Sequence, residues 1–239
     1  MNKKIIIETC VDNFVNTQKS IFFKAERVEV CSSLELGGLC PDLDLCKILI
    51  KRKVTPVVML RNNATFEINN VELEELKEKI KAYRKIGVKE YIFACNIIIS
   101  QLKKNEKFIF HRAIDEIENY DSNLKFLIKM NFSRVLTAGG KGNAMDNLEN
   151  LKYLVKKFNN KIKIVVAGKV TMENLQEIEA KTNATEFHGA HDEKFIQAMK
   201  LEDLIKINKI YPKKKLVVIH PSDNNLKVVK KIIGQHKNY

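Results

Sequence analysis

Strand-like and helix-like segments alternate along roughly the first 190 residues of this chain, giving eight repeats. Each strand candidate is a short run rich in β-branched and other apolar residues, and turn or helix signals follow it. Alternation of this kind is typical of parallel strands connected by helices, and eight units favour a closed (β/α)8 TIM-type barrel over an open sheet. The predicted strands span residues 5–10, 27–31, 55–60, 90–95, 107–112, 134–137, 162–168 and 185–189.

The length of 239 residues suits one large α/β domain. No Gly-x-Gly-x-x-Gly follows the first strand, which disfavours a dinucleotide-binding sheet. We therefore predict a single barrel domain over residues 1–239, with a basic C-terminal extension at about residues 192–239. This extension contributes much of the net charge of +13. Because no nucleic-acid motif accompanies the scattered lysines, we predict no specific nucleic-acid partner.

Compartment signals in the sequence indicate a cytoplasmic protein. The first strand reaches Glu8 too early for a secretion signal, and no run of about 18 apolar residues predicts a membrane span. The cysteines are odd in number and include no Cys-x-x-Cys pair, so we expect free thiols rather than disulfides or a structural zinc site. They are Cys10, Cys31, Cys40, Cys46 and Cys95.

The second predicted strand has two chemically different faces. Val28 and Val30 alternate with Arg27, Glu29 and Cys31, which is the period of a strand. Three polar positions on one face of a buried strand are expected only where the side chains pair with one another or take part in binding or catalysis. A glycine loop at residues 37–38 follows, and Pro41-Asp42 predicts the start of the next helix. Such an arrangement is typical of an α/β enzyme site.

Polar side chains lie at the carboxyl ends of several predicted strands. In a (β/α)8 barrel these ends meet at one mouth, where the active site lies, so we predict a functional site there. The predicted mouth residues are Glu8, Cys10, Glu29, Cys31, Arg61, His111, Arg112, Asp115, Thr137 and His188.

Each of these residues also has a structural interpretation. Glu29 is compatible with an ion pair to Arg27 or Arg112 as well as with a chemical role. Free cysteines are most often small core residues, and a hydrogen-bonded structural histidine is as reasonable for His111 as a general acid or base. The glycines that follow the last two strands, Gly168 and Gly189, occupy the usual phosphate-binding corner, although glycine also serves simply to turn the chain.

Two motifs in this sequence resemble the copper homeostasis protein CutC family. They are the Arg-Val-Glu-Val-Cys segment with its Gly-Gly-Leu loop, and the Phe-His-Arg-Ala-Ile-Asp segment at residues 110–115. Shorter matches are Glu8-Thr9-Cys10, Arg134-Val135-Leu136-Thr137 and Glu186-Phe187-His188, and the resemblance covers roughly residues 4–190. It implies a cytoplasmic barrel protein linked to copper handling that binds Cu(I). Cys10 and Cys31 end adjacent strands on comparable faces, so their thiols could meet as its ligands.

The chain also departs from that family pattern. Arg61 is followed by Asn62-Asn63-Ala64, where the family usually has a second arginine and two glycines. Lys169-Val170 stands where the family usually has two further glycines. These replacements remove backbone that could contact an anion from one side of the mouth, so a substrate shared with the family is in doubt.

Two functional hypotheses follow, one for a metal binder and one for an enzyme. Thiolates at Cys10 and Cys31 suit Cu(I). Alternatively, an uncharacterised barrel enzyme acts on a small anionic metabolite, which is phosphorylated if the glycine corner is used. A scaffold acting through homo-oligomerisation is a third interpretation. The catalytic candidates are Glu8, Glu29, His111, Arg112 and Asp115; the ligand-binding candidates are Arg61, Thr137, Gly168, His188 and Gly189; the metal-ligand candidates are Cys10 and Cys31.

Overall fold

A computed structural model describes residues 4–22, 25, 27–64, 68–93, 103 and 105–189. Eight parallel strands close into a barrel in sequence order, and the first strand pairs with the last. This confirms the predicted (β/α)8 fold. The strands are β1 (Ile6–Val11), β2 (Arg27–Val30), β3 (Thr55–Met59), β4 (Glu90–Phe93), β5 (Lys107–Phe110), β6 (Arg134–Thr137), β7 (Lys163–Val166) and β8 (Glu186–Gly189).

Helices surround the barrel, and several begin at an identifiable cap. Asp42 accepts the amide of Asp44 at 2.7 Å, as expected for the residue that opens the second helix. At the start of the first helix, Asn13 accepts the amide of Asn16 at 2.9 Å. The described helices are α1 (Phe14–Phe22), α2 (Leu43–Lys51), α3 (Asn70–Lys85), α4 (Tyr120–Lys129), α5 (Leu148–Phe158) and α6 (Met172–Thr182).

Some sequence-based predictions concern residues outside the described ranges. They are the end of the fourth strand at residues 94–95, including Cys95, and the whole segment 192–239. Within the described ranges, the observed strands are up to three residues shorter than predicted. Helix α4 begins at Tyr120, where Asn119 accepts the amide of Ser122.

Side chains alternate between two apolar layers along each strand. Val28 and Val30 face outward and pack in the core between barrel and helices. Inward-facing residues fill the barrel itself, as expected for this fold. The inner apolar group comprises Cys10, Cys31, Val57, Met59, Ile92, Ile109, Leu136, Val165 and Ala167.

The barrel floor is a ring of charges. The first residue of each even-numbered strand is charged and buried, and the signs alternate around the barrel. Four side chains from alternate strands form one layer of such a barrel. Arg27 donates to Glu186 at 2.9 Å, and Arg134 donates to Glu90. We call this layer the charge ring; its members are Arg27, Glu90, Arg134 and Glu186.

Candidate functional site

Two buried thiols meet inside the barrel. Cys10 lies on β1 and Cys31 directly follows β2, and their Sγ atoms are 3.4 Å apart. Their exposed fractions are 4% and 0%. The Cys10 thiol also donates to Glu29 Oε1 at 3.4 Å, and the Cys31 thiol donates to the carbonyl of Val11 at 3.7 Å. The contact with Cys31, burial and the Glu29 charge raise the pKa of Cys10.

Glu29 lies beside the thiols, and its Oε2 is 3.8 Å from His188 Nδ1. Its Oε2 is buried and accepts no hydrogen bond from the described part of the chain. Burial raises the pKa of Glu29, although the nearby His188 partly opposes that effect. The expected pairing of Glu29 with Arg27 or Arg112 is wrong. Arg27 lies two residues earlier on the same strand, in the charge ring, where it donates to Glu8 and Glu186.

A carboxylate holds His188 in one orientation. His188 Nδ1 donates to Glu8 Oε1 at 2.9 Å, and Glu8 Oε2 accepts from Arg27 at 2.5 Å. Burial opposes ionisation of Glu8, but the His188 hydrogen bond and the Arg27 charge lower its pKa to about 2. Burial also opposes protonation of His188, yet Glu29 and Glu8 together raise its pKa above 6.5. Within the described residues, His188 Nε2 has no protein hydrogen-bond partner.

His111 lies at the mouth among positive charges. It follows β5, is half-buried, and its amide donates to the carbonyl of Phe93. Burial and the charges of Arg61, His188 and Arg112 lower its pKa to about 4, so the ring is neutral at physiological pH. Arg61 donates to the carbonyl of Gly37 and to that of Ala64, three residues further along its own loop.

Asp115 and Thr137 belong to a hydrogen-bond network beneath the mouth. The buried Asp115 carboxylate accepts from Arg112 Nε, from the Ala138 amide and from the Tyr120 hydroxyl, each at 2.9 Å. It also accepts from Thr137 at 2.5 Å, and Thr137 in turn accepts the Gly139 amide. With four donors, Asp115 anchors the mouth loops.

The two glycines predicted to bind phosphate occupy different environments. Gly168 follows β7 with a φ of +91°, and a Cβ there would lie 2.9 Å from Ala138 Cβ and 3.3 Å from Arg112 Cζ. Gly189 is the buried last residue of β8, in register with Thr9. The structure therefore brings Gly168 into the surroundings of Arg112.

Two groups of side chains have the spacing of metal ligands. Cys10, Glu29 and Cys31 form one, and Glu8, Glu29 and His188 form the other, with ligand atoms within 4.8 Å of one another in each group. Both oxygens of Glu8 are already engaged, one with His188 and one with Arg27. The thiol group therefore fits a metal better, and two thiolates favour a soft ion.

The sequence alone did not predict the charge ring or the side chains that surround Glu29. A signal for the ring was present, because a charged residue opens four alternate strands. A barrel layer drawn from alternate strands would have grouped those four residues. No sequence signal distinguishes Arg27 from His188 as the neighbour of Glu29.

Comparison with known proteins decides the family. The model of the CutC family matches residues 5–193. This chain belongs to the CutC family. A CutC family protein of Aliivibrio fischeri is 32% identical over 199 residues, covering 77% of this chain and 81% of that protein. The human copper homeostasis protein cutC homolog is 28% identical over 196 residues, covering 77% and 72% respectively.

Solved structures agree with this family assignment. A crystal structure described as copper homeostasis protein CutC from Streptococcus agalactiae matches with a TM-score of 0.70 and 27% identity, covering 77% of this chain and 98% of that chain. A thiamine phosphate pyrophosphorylase from Pyrococcus furiosus has a TM-score of 0.56 at 14% identity, which reflects the barrel fold alone. None of the described helices is long and apolar enough to cross a membrane.

Proposed function

We propose that this CutC family member is a cytosolic protein that binds Cu(I) through Cys10 and Cys31. The observation that carries this proposal is the 3.4 Å separation of the two Sγ atoms inside the barrel. Thiolates are the ligands that Cu(I) prefers, and no large rearrangement is needed to direct both sulfurs at one ion. Several relatives bear the name copper homeostasis protein, which agrees with copper as the bound metal.

The surroundings of the thiols suit a bound, protected ion. Val57 and Met59 belong to the same inner apolar group as the two cysteines. Burial of that kind limits access of water and oxidants to the sulfurs. Glu29 is the nearest carboxylate and accepts a hydrogen bond from Cys10. It therefore positions the Cys10 sulfur.

Anaerobic competition for Cu(I) against a strong chelator tests the metal proposal. We expect one Cu(I) per chain, and an affinity at least about 100-fold lower in Cys10→Ala or Cys31→Ala, since loss of a ligand exceeds the loss of an outer contact. Cys46→Ala is the matched control, because Cys46 is an equally buried thiol in the outer core. Its affinity should remain within about threefold of wild type, well under the 10-fold effect of a lost outer contact.

The opposite result is equally clear. If Cys10→Ala/Cys31→Ala bound Cu(I) as tightly as wild type while keeping its thermal stability, the thiol pair would not be the copper site. Equal losses in the Cys46→Ala control would show that thiol content, rather than this pair, determines the binding.

A second candidate function is acid–base catalysis on a small anionic metabolite. The specific observation is that Glu8 orients His188 at 2.9 Å, while His188 Nε2 has no protein partner among the described residues. A carboxylate-oriented imidazole with its second nitrogen open to a substrate is a common general base. The mouth contributes Arg61 and Arg112 as groups that attract an anion.

Proton exchange into deuterated water tests this second candidate. Phosphorylated and carboxylated metabolites that raise the melting temperature would be incubated with the protein, and loss of carbon-bound protons followed by NMR. His188→Gln should slow the exchange by about 100-fold or more, the usual contribution of a general base. His111→Gln is the matched control and should have a smaller effect. Exchange unchanged by His188→Gln would contradict the role given to that residue.

A further inference from the structure

The loop after β7 presents consecutive backbone donors without protein acceptors. Among the described residues, the amides of Gly168, Lys169 and Val170 donate to no backbone or side-chain acceptor. Gly168 is half-buried and Lys169 is exposed at the rim of the barrel. Neighbouring amides are used differently: the Ala167 amide donates to Thr137 and the Thr171 amide donates to Asn174. The unpaired donors are therefore confined to this loop.

Hydrogen bonds to its carbonyls hold this loop in shape. The Gly168 carbonyl accepts the amide of Ala144, and the Lys169 carbonyl accepts Asn174 Nδ2 at 2.9 Å. Both residues have positive φ values, +91° at Gly168 and +55° at Lys169. A left-handed conformation is unfavourable for lysine, so its surroundings must impose it. The donors are thus pre-arranged before any ligand arrives.

Arg112 lies directly against this loop. A Cβ on Gly168 would come within 3.3 Å of Arg112 Cζ, so only glycine leaves room for the guanidinium. Arg112 Nε donates to Asp115 and Nη2 donates to the Gly142 carbonyl. Its Nη1 has no acceptor in the part of the chain that the structure describes. The guanidinium therefore lies beside Gly168, where the run of unpaired amides begins.

The carboxylates nearby are already engaged. Asp115 accepts four hydrogen bonds beneath the loop. Asp146 accepts the amide of Asn143, and Glu116 Oε2 lies 3.8 Å from Lys141 Nζ. No described carboxylate pairs with Lys169, which is exposed at the rim.

We propose that Arg112 and the Gly168–Val170 loop form a binding site for the phosphate group of a small phosphorylated metabolite. A phosphate dianion offers several acceptor oxygens, which match amide donors and a fixed guanidinium. The N-terminus of α6, which begins at Met172, adds a favourable partial charge. The site is separate from the thiol pair, so it does not depend on copper. It supplies the substrate class for acid–base catalysis but is tested by binding alone.

Titration with inorganic phosphate and with glycerol 3-phosphate at constant ionic strength tests this site. Lys169→Gly removes the rim charge and relieves the left-handed lysine, so the fold should be at least as heat-stable as wild type. Binding of both anions should weaken about fivefold, the effect of one nearby charge in water. Arg112→Gln should weaken binding at least about tenfold, because a charge-assisted hydrogen-bond donor is lost.

Lys163→Gln is the matched control. Lys163 is exposed at the first position of β7, at the opposite end of the strand that precedes the site. The control should leave both affinities within about twofold of wild type, since distant exposed charges are screened. The proposal would be overturned if Lys163→Gln bound the anions as weakly as Lys169→Gly does. It would also be overturned if wild type bound neither anion. Tighter binding of glycerol 3-phosphate identifies a metabolite site, whereas preference for inorganic phosphate contradicts it.

Discussion

Replacing Arg27 with methionine is expected to lower the free energy of unfolding by about 3–5 kcal/mol, the usual result of removing one partner from a buried ion pair. Arg27 donates to Glu8 at 2.5 Å and to Glu186 at 2.9 Å, and all three residues are buried. Methionine fills similar space but leaves two carboxylates inside the barrel without their cation. Their desolvation is then no longer offset.

Urea denaturation at neutral pH measures this loss. Lys47→Met is the matched control, because Lys47 pairs with Asp44 at 2.7 Å on the exposed surface of α2. Exposed pairs of this kind contribute about 0–1 kcal/mol, so the control should unfold near the wild-type midpoint. Similar losses in the two variants would show that the buried pairs of Arg27 are no more important than a surface pair.

The same variant should respond differently to acid. The Glu8 pKa is depressed from 4.5 to about 2 in the folded protein. A carboxyl with a lowered folded pKa contributes its stability above the unfolded pKa and loses it as the pH falls through the folded value. Wild type should therefore lose stability between pH 4.5 and about 2. Without Arg27 the pKa of Glu8 is lowered less. The difference in free energy of unfolding between wild type and Arg27→Met should therefore become smaller as the pH falls from 4.5 to about 2.

Replacing Asp115 with asparagine should destabilise the protein by about 3 kcal/mol, because several charge-assisted hydrogen bonds weaken together. Asp115 is 4% exposed and accepts four hydrogen bonds. Asparagine has similar size, but its NH2 group is a donor and cannot accept from Arg112 or from the Ala138 amide. At least one buried donor is left without an acceptor.

Chemical denaturation of Asp115→Asn beside Asp121→Asn tests this anchoring role. Asp121 carries the same charge on α4 but pairs with Lys157 at the surface, where the pair is 41% and 31% exposed. The surface variant should change stability by at most about 1 kcal/mol. Phosphate affinity provides a second readout, because Asp115 positions Arg112. Equal stability of Asp115→Asn and wild type would contradict the anchoring role.

The barrel could be predicted because its signal is local and repeated. Alternation along each strand identified the outward apolar face of Val28 and Val30, and the packing of both residues in the outer core agrees with that interpretation. The rule that strand ends converge brought Cys10 and Cys31 to one mouth, and their Sγ atoms lie 3.4 Å apart. None of these contacts needs knowledge of the register beyond neighbouring strands.

Partner choice among the buried charges could not be predicted in the same way. Arg27 and Glu29 share a face of β2 but lie about 6.6 Å apart along the strand, so they fall in different layers of the barrel. The stagger between strands then decides which carboxylate each cation reaches. Arg27 is in register with Glu8, and Glu29 is in register with Cys10.

The sequence by itself determined the eightfold strand–helix alternation, the inward and outward faces of each strand, and the residue types at the mouth, because these depend on local periodicity. Only the tertiary structure decided that Glu8 holds His188, that Glu29 lies beside both the thiols and His188, and that Asp115 anchors loops. Those outcomes depend on strand register and barrel closure, which bring together residues as distant as Glu8 and His188. Closure is a property of all eight strands together, and no single segment encodes it.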